Sequence, residues 1–140
     1  MYVAGLVVPV PEDKRDAYLK WAENGARIFR RYGCLEIVEC WEDNVPEGRL
    51  TDFRRAVAAE PGEKIVFTWQ VWPDKASLEA AEARMHADGA LDGEAAPPFD
   101  ARRLILGCFA PLFIMGRSEA AGRVVDAKSS FQDGKNRRFG

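Results

Sequence analysis

The stretch "LEIVECWEDNVPEGR" (35–49) gathers acids, a cysteine and a tryptophan, residue types that could bind a metal or move a proton. Spacing decides between those chemistries. Cys34 and Cys40 are an even number of residues apart and so share a strand face, but six residues of strand separate them by roughly 20 Å. They cannot hold one metal or pair with each other. Glu36 and Glu42 belong to that same face, and Glu39 and Trp41 to the opposite one. Asp43, Asn44, Pro46 and Gly48 are turn formers, so the stretch reads as an acidic strand end entering a loop. Glu39 is the acid best placed to reach a cavity.

A second stretch, "FTWQVW" (67–72), alternates. Phe67, Trp69 and Val71 form one set, read as the helix-side core. Thr68, Gln70 and Trp72 form the other and combine hydrogen-bonding groups with an aromatic wall, as small-molecule sites and subunit interfaces both do. Arg102 and Arg103 add guanidinium groups suited to a carboxylate or a ring. Gly107 in mid-strand signals a bulge or a close approach. The candidate binding residues are therefore Glu39, Thr68, Gln70, Trp72 and Arg103, with Asn44 joining them if the site is catalytic.

Other chemistries lack their residues. His86 is the single histidine, and with scattered cysteines it makes no convergent ligand set, so no zinc or iron is expected. There is no G-x-S-x-G, no redox C-x-x-C and no phosphate-binding glycine loop. No cofactor is expected.

The elements that must position these groups follow from periodicity. "YVAGLVV" (2–8) is a strand closed by Pro9 and Pro11. Tyr18, Trp21, Ala22, Gly25, Ile28, Phe29 and Tyr32 fall on one helical face. Acids precede this helix, and Arg30, Arg31 and Gly33 suit its end. "CLEIVECW" (34–41) and "EKIVFTWQVW" (63–72) are strands, and Asp74 caps a helix that Gly89 ends. "RRLILGCFA" (102–110) is the last strand, with Pro111 on an edge. "AEPGE" (59–63) suits a type II turn, and "DFRRAV" (52–57) is expected to return along 64–69 as a ribbon. The order βαββαβ predicts an α+β ferredoxin-like sandwich, antiparallel sheet order 4-1-3-2, with both helices on one face. Because both faces of the strands are apolar and only one face receives helices, the other is expected to meet a second copy in a homodimer.

Of 140 residues, 47% are hydrophobic and 30% charged, which describes an ordinary globule. A net charge of −2 excludes a general nucleic-acid binder. The longest uncharged stretch, 104–116, is too short to span a membrane, no signal peptide is visible, and irregularly spaced cysteines favour a reducing cytoplasm. Residues 117–140 carry a charge of +3 against −5 for residues 1–116. They are read as a polar basic extension on a domain covering 1–116, and residues 112–140 are expected either to cross onto the partner subunit or to lie on their own subunit. "LFIM" (112–115) is expected to be buried.

The pieces "YVAGLVVPVP", "IVECWEDNVPEGRLTDFRRAV", "EKIVFTW" and "PPFDARRLILGCF", covering about residues 1–110, resemble the YbaA-like domain-of-unknown-function family 1428 of the dimeric α/β-barrel group. The resemblance implies the fold just derived and a homodimer, with no established activity. The family pattern has an acid where Ala4 stands, Gly at Cys108 and Glu at Ala110. Any chemistry those acids served is absent here.

The expected function is a non-enzymatic small-molecule-binding or stress-related accessory protein. The alternatives are a cofactor-independent enzyme of the monooxygenase or isomerase type, and a structural dimer without ligand.

Overall fold

The first strand, β1 (Tyr2–Pro11), runs through both prolines expected to end it. The reason lies in its neighbours. The computed structural model, which describes residues 1–116 and the backbone of residues 123–124, pairs β1 along its whole length with β3 (Glu63–Trp72). On the other side it is paired only from Val3 to Val7, with β4 (Ile105–Phe109). The Glu12 N–H donates to the Gly62 carbonyl across the β3 side, 2.9 Å. Strand amides alternate in direction, so Pro9 and Pro11 face the unpaired edge, where a missing donor costs nothing.

A 3-10 turn (Glu12–Lys14) leads into α1 (Arg15–Arg31), whose stripe buries Tyr18, Ala22 and Ile28. Gly33, at φ 107, then reverses the chain in a conformation open chiefly to glycine. β2 (Glu36–Trp41) pairs with β3, and the sheet order β2-β3-β1-β4 is the antiparallel 4-1-3-2 order that the sequence predicts. Asp74 caps α3 (Lys75–Asp88) by accepting from the Ser77 N–H at 2.7 Å, and Gly89 ends it in the left-handed region. The Pro61-Gly62 turn also forms, with Gly62 at φ 84 and the Glu63 N–H donating to the Glu60 carbonyl.

Three expectations are corrected. Residues 52–57 do not return as a ribbon. Asp52 accepts from the Arg55 N–H and starts the short helix α2 (Phe53–Ala56). The two sets of β3 are reversed: Val66, Thr68 and Trp72 are buried on the helix side, whereas Phe67 is 47% exposed on the other. Alternation sorts residues into two sets without labelling them. The label comes from packing, since Val8, Val10 and Val66 cluster with Tyr18 and Ala22 of α1. Cys34 and Cys40 also part company. Cys34 precedes β2 and turns into a core of Ile28, Trp72, Leu78, Ala81 and Met85, and Cys40 pairs with Phe67 on the opposite face.

That opposite face is apolar. Val3, Val7, Val38, Phe67, Trp69, Ile105 and Phe109 share it by register, and apart from Glu36 and the ion-paired Glu63 its strand positions carry no charge. Gly5 and Gly107 are register partners with no bulge between them. A Cβ on Gly107 would lie 2.9 Å from the Phe109 ring, so the mid-strand glycine accommodates a side chain of its own strand. α2 reaches the same face, where the Phe53 and Phe67 rings meet at 6.0 Å.

Past Pro111, Leu112 and Met115 stand 72% and 73% exposed rather than buried. A two-residue ladder, β5 (Phe113–Ile114) with β6 (Arg123–Val124), follows the sheet without covering them. The expected extension, 117–140, otherwise lies outside the described residues. Among the described residues no helix is long and apolar enough to cross a membrane.

Candidate functional site

α1 crosses the sheet with small residues where large ones would close the gap. Ala22, Gly25 and Ala26 leave a cavity of about 270 Å³ between the helix and the strands. A Cβ added to Gly25 would meet nothing within 4 Å, so the space begins at the helix backbone. The floor comes from Leu6 and Val8 of β1, Ile37 and Glu39 of β2, and Thr68 and Gln70 of β3. The register sets Glu39, Thr68 and Leu6 in one cross-strand row and Ile37 beside Gln70. Trp21, Phe29, Phe99 and Leu104 supply apolar wall. The Trp21 and Phe99 rings meet edge to face at 5.1 Å, and Tyr18 lies 5.7 Å from Trp21 and 5.9 Å from Phe99.

The polar pole is built around Glu39. The Tyr18 hydroxyl donates to Glu39 Oε2 at 2.7 Å, and Thr68 hydrogen-bonds the same carboxylate. Glu39 is an exposed residue on the cavity floor, and the partial desolvation of its carboxyl beside Tyr18 and Thr68 pushes its pKa up. The Tyr18 and Thr68 hydrogen bonds favour the ionised form and oppose the shift without cancelling it. Burial, then the charge of Glu39 and their hydrogen bond, drives the Tyr18 phenol well above its ordinary value. Tyr18 is therefore a donor at any physiological pH. The Gln70 side-chain oxygen accepts from the Trp72 indole N–H at 3.0 Å, which fixes the amide and reserves its own N–H groups.

The structure brings together three of the five sequence-derived candidates: Glu39, Thr68 and Gln70. Trp72 is fully buried between the sheet and α3 and acts on the site only by tethering Gln70. Arg103 lies elsewhere. Its guanidinium donates two hydrogen bonds to Glu63, at 2.6 and 2.7 Å, and a third to Asp100 at 3.2 Å. Arg102 is spent on Asp100, at 2.9 Å. Asn44 is exposed in the loop after β2. His86 is exposed on α3, and among the described residues no group of three His, Cys, Asp or Glu side chains gathers to hold a metal. Ala4 and Cys108, two of the positions departing from the family pattern, are register partners on β1 and β4.

Tyr18 is the residue that sequence reasoning missed as a site group, because it sits in the helix stripe and passes for core. Its hydroxyl is the available signal: a buried tyrosine needs a polar partner. The one acid on the helix-facing side of β2 is that partner.

Residues 1–101 match the family described as "Protein of unknown function (DUF1428)". The chain is 47% identical over 110 residues to "Uncharacterized protein YbaA" of Escherichia coli strain K12, covering 77% of this chain and 93% of that protein. The same identity and coverage relate it to YbaA of Escherichia coli O157:H7 and of Shigella flexneri. A match over most of the chain, supported by relatives this similar along nearly their whole length, places the protein in the DUF1428 family.

Proposed function

We propose that this protein is a cytoplasmic, homodimeric small-molecule-binding protein without catalytic chemistry of its own. The observation that carries the reading is the cavity between α1 and the sheet, which is apolar over most of its wall and polar at Glu39, Thr68 and Gln70. Its 270 Å³ lies just under the range of about 300–1,000 Å³ usual for ligand sites, so the guest is small, of about one ring with a short substituent.

The second copy is the occupant that the open sheet face suits. An apolar face with charge only at Glu36 and at the ion-paired Glu63 is costly to leave in water, and a two-fold interface lets Phe67, Trp69, Ile105 and Phe109 cover their own counterparts. The exposed Leu112 and Met115 are further surface for that copy to cover. Sheet-to-sheet association makes the dimeric α/β barrel, burying at least the standard ~1,600 Å². The three free cysteines suit a reducing compartment.

Native mass spectrometry of freshly purified protein tests both halves. The expected result is a dimer carrying a small non-covalent mass, which Gly25→Leu removes by growing a side chain into the cavity. Bare polypeptide mass in both proteins would overturn the cavity reading. A monomer at micromolar concentration would overturn the dimer.

One observation favours a second reading. Glu39, with its raised pKa, hydrogen-bonded to a phenol beside an apolar cavity, is equipment for proton transfer in a cofactor-independent enzyme of the monooxygenase or isomerase type. That reading requires turnover of a carbonyl or phenolic substrate, lost in Glu39→Gln. Absence of turnover leaves the binding protein.

A further inference from the structure

The wall of the cavity is one-sided in charge. Glu39 and Glu94 line it, and among the described residues no lysine, arginine or histidine does. The groups that touch the Glu39 carboxylate, the Tyr18 and Thr68 hydroxyls, are neutral donors. A carboxylate offers about four lone-pair sites, so two hydroxyl donors leave it acceptor capacity.

A neighbouring cation is engaged elsewhere. Arg15 lines a smaller cleft on the far side of the Tyr18–Glu39 pair. Its guanidinium lies over the Trp41 ring, 5.8 Å from the centroid, and 3.5 Å from Asp16. Past the end of β2, Lys64 and Arg54 pair with Glu42.

From this geometry we propose that the cavity takes an organic amine in its ammonium form, with an aromatic or compact aliphatic body against Trp21, Phe29 and Phe99 and its charged head on Glu39. The inference rests on the small-molecule-binding reading and names its ligand class. An anionic guest would meet Glu39 and Glu94 with no cation among the described residues to receive it. A neutral guest would strip water from the Glu39 charge and return at best one hydrogen bond, an unfavourable exchange in an apolar site. An ammonium supplies the missing countercharge, donates to the free lone pairs of Glu39, and is attracted to the faces of the aromatic cluster.

This assignment also fixes a pH signature. The groups facing Glu39 are Tyr18 from α1, Thr68 and Gln70 from β3, and Glu94 from the loop after α3, with Arg15 turned to Trp41. Tyr18 stays protonated, and Glu39 is the carboxyl on which the ammonium head is placed. A bound cation favours ionised Glu39. Affinity for an amine therefore rises with pH through the carboxyl's titration and then levels off, with proton release on binding along the rising limb.

The decisive measurement is calorimetric titration of the full chain at pH 7 with three probes of similar body: 2-phenylethylamine, 2-phenylethanol and 3-phenylpropanoate. The amine is expected to bind at least tenfold more tightly than the alcohol, and the carboxylate more weakly than either. Glu39→Gln is expected to erase the preference for amine over alcohol while keeping alcohol binding. Equal or tighter binding of the alcohol or carboxylate by the wild-type chain would overturn the amine assignment and leave the cavity reading standing. Failure of all three at millimolar concentration would overturn both. The wild-type series decides the matter even if the variant does not fold.

Discussion

Trp72→Ala is expected to destabilise the fold by about 3–5 kcal/mol, the usual cost of emptying a buried aromatic site. Trp72 has no exposed surface and packs with Ile28 of α1, Cys34, and Leu78, Ala81 and Met85 of α3. It therefore joins both helices to the sheet. Its indole N–H also donates to Gln70, so truncation frees an amide on the cavity floor as well. Trp21→Ala is the paired control. Trp21 sits in the helix stripe, but it is half-buried at the cavity wall, with Phe99 against its edge. Part of its surface already faces empty space, so about 1–2 kcal/mol is expected, below the range for a fully buried aromatic. Urea denaturation at one fixed protein concentration checks both, since a dimer's apparent stability depends on concentration. Equal losses in the two variants would mean that the cavity beside Trp21 is closed in solution.

The different standing of these two tryptophans shows what a sequence discloses. Periodicity places Trp21 on the buried face of α1 and Trp72 on β3, and both placements hold at the level of the element. β3 and α3 begin and end where predicted because their punctuation is local: Pro61-Gly62 before the strand, and Asp74 and Gly89 around the helix. What is not local is not legible. Which set of β3 faces the helices depends on α1, and the passage of β1 through Pro9 depends on β4 stopping short of it. α2 is one turn long, too short for periodicity to register, and only its Asp52 cap announces it.

The site divides in the same way. Glu39, Thr68 and Gln70 are recognisable because a strand that alternates so regularly makes polar residues on its buried side conspicuous. The cavity above them is written in absences, Ala22, Gly25 and Ala26, which within a helix stripe read as ordinary packing. Arg103 illustrates the converse. Its capacity to bind a carboxylate is evident from its type, and the carboxylate it binds is Glu63 of its own chain.

Arg103→Ala is expected to cost about 2–3 kcal/mol, and the loss is expected to depend on pH. Removing one member of a buried ion pair usually costs more, because the other charge is left uncompensated. Here the Glu63 side chain is only 6% exposed, but Arg103 itself supplies part of that cover, and water would reach the vacated position and screen the charge. Arg103, followed by the Glu60 N–H and Arg54, outweighs burial and holds the Glu63 carboxyl below its ordinary value. A carboxyl depressed in the folded state contributes stability that is present above its unfolded pKa of about 4.3 and is lost as pH falls through the folded value. The wild-type protein should therefore lose stability on acidification below about pH 4.3 more steeply than Arg103→Ala, in which that depression is largely gone. The gap between the two proteins should be widest near neutrality and narrow as Glu63 protonates. Denaturation midpoints measured from pH 7 down to pH 3 read this directly. A gap constant across that range would mean that Arg103 stabilises through the packing of its aliphatic stem and not through its charge.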